Sequence, residues 1–213
     1  VAVIAGAVTK VTGVVADLDS VLGGTVSLPA NVEIVVTGGA TVAKVNAYKL
    51  AAGTEKVTAA VTDFASNTKD LGTSSIDAID VAILNVADAA TDAAHLNTTN
   101  SKTTSVVDAN SVTSITGTVE ALTALEGAAT ATTPTIMLKS DVDIALSESG
   151  AVALLNDLAE LTDGVVTGIA TSNAIADFNG DTSTLTTAGT DKISIALTDA
   201  SVAATDLYSV VGG

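Results

Sequence analysis

One sentence of sequence recurs along this chain. Val142–Gly164 reads VDIALSESGAVALLNDLAELTDG: a short apolar strand, a turn, an amphipathic helix and a glycine stop. Val32–Gly53 (VEIVVTGGATVAKVNAYKLAAG) and Ile193–Gly212 (ISIALTDASVAATDLYSVVG) repeat it. A short unit of this kind cannot bury its apolar face alone, so it must stack on its neighbours. Strand starts fall at Val11, Val32, Val57, Asp80, Ile115, Val142, Val166 and Ile193. Their spacing lies within or near the roughly 20 to 29 residues of a strand-plus-helix solenoid.

Longer stretches also align. Val8–Phe64 matches Val112–Phe178, with equivalent residues about 104 to 114 positions apart. The expected organisation is a single repeat array over 1–213, internally duplicated at about 8–96 and 112–213. Residues 97–114, NTTNSKTTSVVDANSVTS, read as an insertion or, through VVDA, as a degenerate extra rung.

Consecutive strands joined by a helix must run parallel, and near-continuous apolar strands imply cover on both faces. The expected class is therefore α/β: a β–α solenoid with a parallel β-sheet. It is leucine-rich-repeat-like in unit length but lacks that consensus, and a parallel β-helix is the alternative. In the first unit Val11, Val14 and Val15 suit a strand, and Ala16, Leu18, Val21 and Leu22 one helix face. In the second, Thr41 is the expected N-cap, with Val42, Val45 and Leu50 on the buried side.

Composition supports thin layers. The chain has two Phe, two Tyr and no Trp. Small branched side chains pack narrow layers without large rings, whereas a broad core generally uses them. Net charge is −16, from 24 acidic residues against 8 basic ones, all lysine. That excludes nucleic acid, whose phosphates require Lys/Arg stripes, and disfavours anionic membranes. No apolar run reaches the roughly 18 residues of a membrane span, so no membrane insertion is expected. With no cysteine, disulfides and thiol chemistry are excluded.

Neither end reads as a cap. The opening VAVIAGAV is apolar, lacks a basic n-region and has no initiator Met, which suggests a processed product or a piece of a longer polypeptide. The closing DLYSVVGG copies the interior DLDSVLGG at Asp17–Gly24. Solenoids require atypical capping repeats, so the array either continues or stacks head to tail.

The units TGTVEALTALEG, VTAAVTDFASN, GATVAKVNAYKLAAGTEKVT and LTDGVVTGIATS resemble Thr/Ala/Val-rich acidic repeat regions of large bacterial, cyanobacterial-type, extracellular surface proteins. The resemblance implies a structural or adhesive role outside the cell and supplies no catalytic residues.

Catalysis finds little to use. His95 is the only histidine, so one chain cannot form a Ser/His/Asp triad or a His-rich metal site. The carboxylate pairs Asp17/Asp19, Asp141/Asp143 and Asp157/Glu160 have the residue types of a glycosidase. They recur at equivalent places in repeats, however, where a solvated edge is the simpler reading. No GxGxxG or GxxxxGK[ST] is present, and the Thr pairs are not in the register that ice binding requires. No enzyme is expected. The candidate cofactor is calcium, at Asp177, Asn179 and Asp181 around Gly180, where alternate oxygens can wrap a hard cation. A plain Asn-Gly/Asp turn is the competing reading, because the EF-hand's glycine and twelfth-position Glu are missing.

The expected role is thus a structural extracellular repeat protein, part of a filament, surface layer or stalk, assembling by rung-on-rung stacking. The alternative is an adhesin or binding module holding a glycan or another surface, on a cell or as a virion appendage.

Overall fold

All strand pairings run parallel in the computed structural model, which describes residues 3–72, 76–84, 90–172 and 190–197. For 76–84, 172 and 197 only the backbone is described. The chain runs β1 (Val3–Ile4), β2 (Lys10–Gly13), α1 (Val15–Leu22), β3 (Val26–Ser27), β4 (Glu33–Ala40), α2 (Val42–Ala52), β5 (Val57–Phe64), α3 (Ala65–Thr68) and β6 (Ile76–Leu84). It continues β7 (Thr91–Asp92), α4 (Ala93–Asn100), β8 (Val107–Ala109), β9 (Ser114–Gly117), α5 (Val119–Thr130), β10 (Ile136–Leu138), β11 (Asp143–Gly150), α6 (Val152–Leu161), β12 (Val166–Ser172) and β13 (Lys192–Leu197). The class is α/β.

The strands form three sheets, ordered β1-β3, β2-β4-β5-β6-β8-β10 and β7-β9-β11-β12-β13. Within each, every strand pairs with the next strand of that sheet along the chain. From β6 to β11 the chain alternates between the two larger sheets, with β6, β8 and β10 in one and β7, β9 and β11 in the other. Residues 107–109 thus form a strand, with β6 on one side and β10 on the other.

Why these residues adopt these elements is mostly local. Thr41 caps α2, its Oγ1 accepting from Lys44 N, and Thr118 caps α5 in the same way from Ala121 N. Asp92 caps α4 by accepting from Ala94 N. Helix α3 is a single turn, as Ser66, Asn67 and Thr68 are weak helix formers. The buried face of α2 is Val42, Val45, Tyr48 and Ala52; Leu50 lies off it and is 87% exposed, contrary to expectation. Helical geometry decides this, since residues three to four apart share a face.

Two further expectations are corrected. The turn expected at SESG is not a turn. Strand β11 runs on to Gly150, and its register against β12 jumps from Ala145↔Thr167 to Ser149↔Ile169. Strand β4 does the same against β5, from Val35↔Thr58 to Gly39↔Ala60. Extra residues bulged into one strand re-aim it toward the following helix. Nor are both strand faces equally covered: β5 alternates, with Val57, Ala59 and Val61 buried and Thr58, Ala60 and Thr62 half-buried. One face is core and the other is partly open.

Four backbone hydrogen bonds recur 104 to 110 residues apart. Val8 N donates to Ala5 O as Val112 N does to Ala109 O; Glu33 N donates to Thr9 O as Asp143 N does to Thr113 O. Val3 N donates to Thr25 O as Val107 N does to Thr135 O; Ile34 N donates to Lys56 O as Ile144 N does to Val165 O. The core is one contiguous cluster of Val, Leu, Ile and Ala from both larger sheets, with Tyr48 its only aromatic among the described residues. Close approach between neighbouring units imposes glycine. A Cβ on Gly53 (φ +65°) would meet Ala30 O at 2.6 Å, and one on Gly164 would collide with Val142 O.

Candidate functional site

The chemistry-bearing side chains mostly join one strand–helix unit to the next. Asp63, on β5, is only 7% exposed. Its Oδ2 accepts from Val42 N at 3.1 Å, in the first turn of α2, and its Oδ1 accepts from Phe64 N and Asn67 Nδ2 at 2.9 and 2.8 Å. Three donors satisfy a buried charge, and the positive end of the helix dipole adds to this. In the second half Glu148, on the bulge of β11, plays the corresponding part for α5, accepting from Val119 N at 2.8 Å in an exposed position.

A second set sits where strands begin. Asn31 Oδ1 accepts from Thr54 N, Asp143 Oδ1 from Val165 N and Asp191 Oδ1 from Val166 N. Each bond joins residues one unit apart in sequence. Two buried hydroxyls, Thr68 and Thr99, meet at 2.7 Å between α3 and α4. Thr162 Oγ1 donates toward Val142 O and accepts from Gly164 N.

Helices α1 and α2 are joined by Asp19, Lys44 and Tyr48. Lys44 Nζ lies 2.6 Å from Asp19 Oδ2, and the Tyr48 hydroxyl lies 2.9 Å from Asp19 Oδ1 and 3.1 Å from Val15 O. The Lys44 ammonium, aided by the Tyr48 hydroxyl, holds the Asp19 carboxyl below its ordinary range. Burial, together with the Asp19 carboxylate, pushes the Tyr48 phenol up to about 12.

The carboxylate pairs separate into different roles. Asp19 is held as described, Asp141 pairs with Lys139 at 2.9 Å, and Asp143 accepts from a neighbouring unit's backbone. Asp17, Asp157 and Glu160 are exposed. His95 is half-buried in α4. The candidate calcium ligands Asp177, Asn179 and Asp181 lie outside the described residues. Among the described residues no group of three or more His, Cys, Asp or Glu is placed to hold a metal ion, and no helix is long and apolar enough to cross a membrane.

Sequence reasoning missed Asp63 and Glu148 as inter-unit acceptors. A signal exists for the second set, since Asn31, Asp141/Asp143 and Asp191 recur within three residues of a strand start.

What remains open is strand edge. β1, β2, β3, β7, β10 and β13 each have a strand on one side only among the described residues. A shallow groove of about 270 Å³ runs along β10, lined by Pro134, Ile136, Met137, Lys139 and Leu161 among others. No family model, no curated protein and no solved structure matches the chain.

Proposed function

We propose that the chain is a structural extracellular repeat protein whose two tandem halves form one β–α solenoid, and that copies stack end to end into a filament, surface layer or stalk. The observation that carries this reading is the order of the strands. In each sheet parallel strands follow one another in chain order, as they would if one rung were added at a time along an axis. Among the described residues β1, β2 and β13 each leave one edge without a strand beside it, and an edge of this kind can take a further parallel strand.

Two further features support it. Polar bridges such as Asp143 to Val165 and Asp191 to Val166 satisfy groups across units. The small-residue core places unit on unit with almost no aromatic filler. The extracellular setting rests on the acidic, cysteine-free composition and the resemblance of its repeats. Sedimentation velocity followed by negative-stain imaging tests the proposal. We expect elongated particles whose length grows with concentration; compact monomers of one size at every concentration would overturn it.

A further inference from the structure

The junction between the two halves is a template for a junction between molecules. At that junction the outer edge of β6 meets β8, with Val81 opposite Val107 and Ala82 opposite Asp108. Strand β8 also pairs with β10, and β1 pairs with β3 in the same way: Val3↔Val26 corresponds to Val107↔Ile136. The same backbone bonds flank both ladders, Val3 N to Thr25 O and Val107 N to Thr135 O, then Val8 N to Ala5 O and Val112 N to Ala109 O. β1 is therefore the counterpart of β8.

β13 is likewise the counterpart of β6. Ala40↔Val61 joins β4 to β5 just before the α2 cap, and Gly150↔Ala170 joins β11 to β12 just before the α6 cap. Val61 in turn pairs with Val81, and Ala170 with Ile195. Thus Ile195 stands where Val81 stands, and Val3 stands where Val107 stands. Val81 and Val107 face each other, whereas Ile195 and Val3 have no such strand beside them among the described residues.

We propose that β13 of one copy pairs in parallel with β1 of a second copy, Ile195 opposite Val3 and Ala196 opposite Ile4. The inference rests on the end-to-end stacking reading and assigns its seam. Exposure agrees. Val107 is fully buried, while Val3 is 51%, Ile4 84% and Ile195 39% exposed. Natural edge strands are blunted by charge, proline or a bulge. Val3–Ala5 has none of these, and β13 carries a charge only at its first residue, Lys192, within a chain of net charge −16. The hydrogen bonding also fits. Val3 N and Ala5 N both donate toward β3, so by strand alternation the Ile4 N–H points to the outer edge.

The chain has no cysteine, which makes a cross-link unambiguous. Directly opposed residues on adjacent strands lie about 5 Å apart, within disulfide reach, whereas a three-residue offset adds roughly 10 Å. On oxidation, Val3→Cys/Ile195→Cys should give a ladder of linked chains beyond dimer, and Val3→Cys/Lys192→Cys should not. Ile4→Lys should leave the monomer's melting unchanged and weaken assembly roughly tenfold or more, while Leu50→Lys, off the seam, should leave both unchanged. If assemblies form but the first pair fails to link, this seam is wrong and stacking survives. If no assembly and no ladder appear at any concentration, both fall.

Discussion

The unit that opens the chain and the unit that follows α4 share one backbone plan and differ in cover. In the second, Val107, Val112, Ile115 and Leu125 are all fully buried. Their counterparts Val3, Val8, Val11 and Val21 are half-buried or exposed. The flanking backbone bonds are matched, although Thr118 caps α5 and its counterpart Val14 makes no side-chain cap for α1. The apolar residues are therefore present in both units, and a neighbouring unit determines whether they leave water. At about 25 cal/mol per Å² of apolar area, that cover is a main source of stability for units this small.

The largest expected contrast lies in the two carboxylates that hold helix starts. Asp63→Ala leaves Val42 N, Phe64 N and Asn67 Nδ2 without their acceptor in a buried place. It should cost about 3 to 5 kcal/mol in urea unfolding. Glu148→Ala, at an exposed site, should cost about 1 kcal/mol or less. Equal losses would show that Asp63 is not the inter-unit clasp described above.

Next comes a like-for-like pair. Val112→Ala opens a cavity in a fully buried site and should cost about 2 to 3 kcal/mol, whereas Val8→Ala in dilute protein should cost about 1 kcal/mol. The contrast should narrow at concentrations where assemblies form. Two identical losses in the dilute monomer would break the comparison.

The Asp19–Lys44–Tyr48 bridge belongs to the first half, since Thr123 stands at the position of Asp19. Tyr48 titrates at about 12 in the fold against its ordinary 10. A raised phenol contributes stability fully present below pH 10 and lost as pH rises toward 12, reaching about 2 kcal/mol. Asp19 is shifted the other way, so its share is present above the ordinary carboxylate range and lost as pH falls through it. Tyr48→Phe should flatten the alkaline decline relative to the parent chain; an unchanged decline would remove Tyr48 as its source.

The smallest contrast concerns caps. Thr41 caps α2, while Ala151, at the corresponding place before α6, makes no side-chain cap. Thr41→Ala should lose, and Ala151→Thr should gain, about 1 kcal/mol in thermal unfolding.

The strand starts at Val57 and Val166 and the Thr41 cap were legible because each rests on a local rule. So was the parallel α/β class, which follows from the unit's order. The bulges in β4 and β11 were not, as Gly and Ser are turn formers unless a ladder on each side holds them extended. Two-residue strands such as β1, β3 and β7 are too short to show any period. Asp63 looked like one more acid in an acidic chain, because its partner Val42 N belongs to the preceding unit. Asp143 was visible as one of a pair of acids, but its role as an acceptor required the neighbouring unit to be in place.

Amide hydrogen exchange at Ile4, compared with Asp108, tests most directly whether the opening unit differs from its counterpart only by a missing neighbour. Both N–H groups lie on the edge of their strand turned away from β3 or β10. In dilute monomer, Asp108 should be protected and Ile4 should exchange at close to the rate of an open chain. In concentrated, assembled protein, Ile4 should approach the protection of Asp108. An Ile4 amide that stays unprotected in particles shown by sedimentation to be assembled, or one already protected in the monomer, would contradict the account.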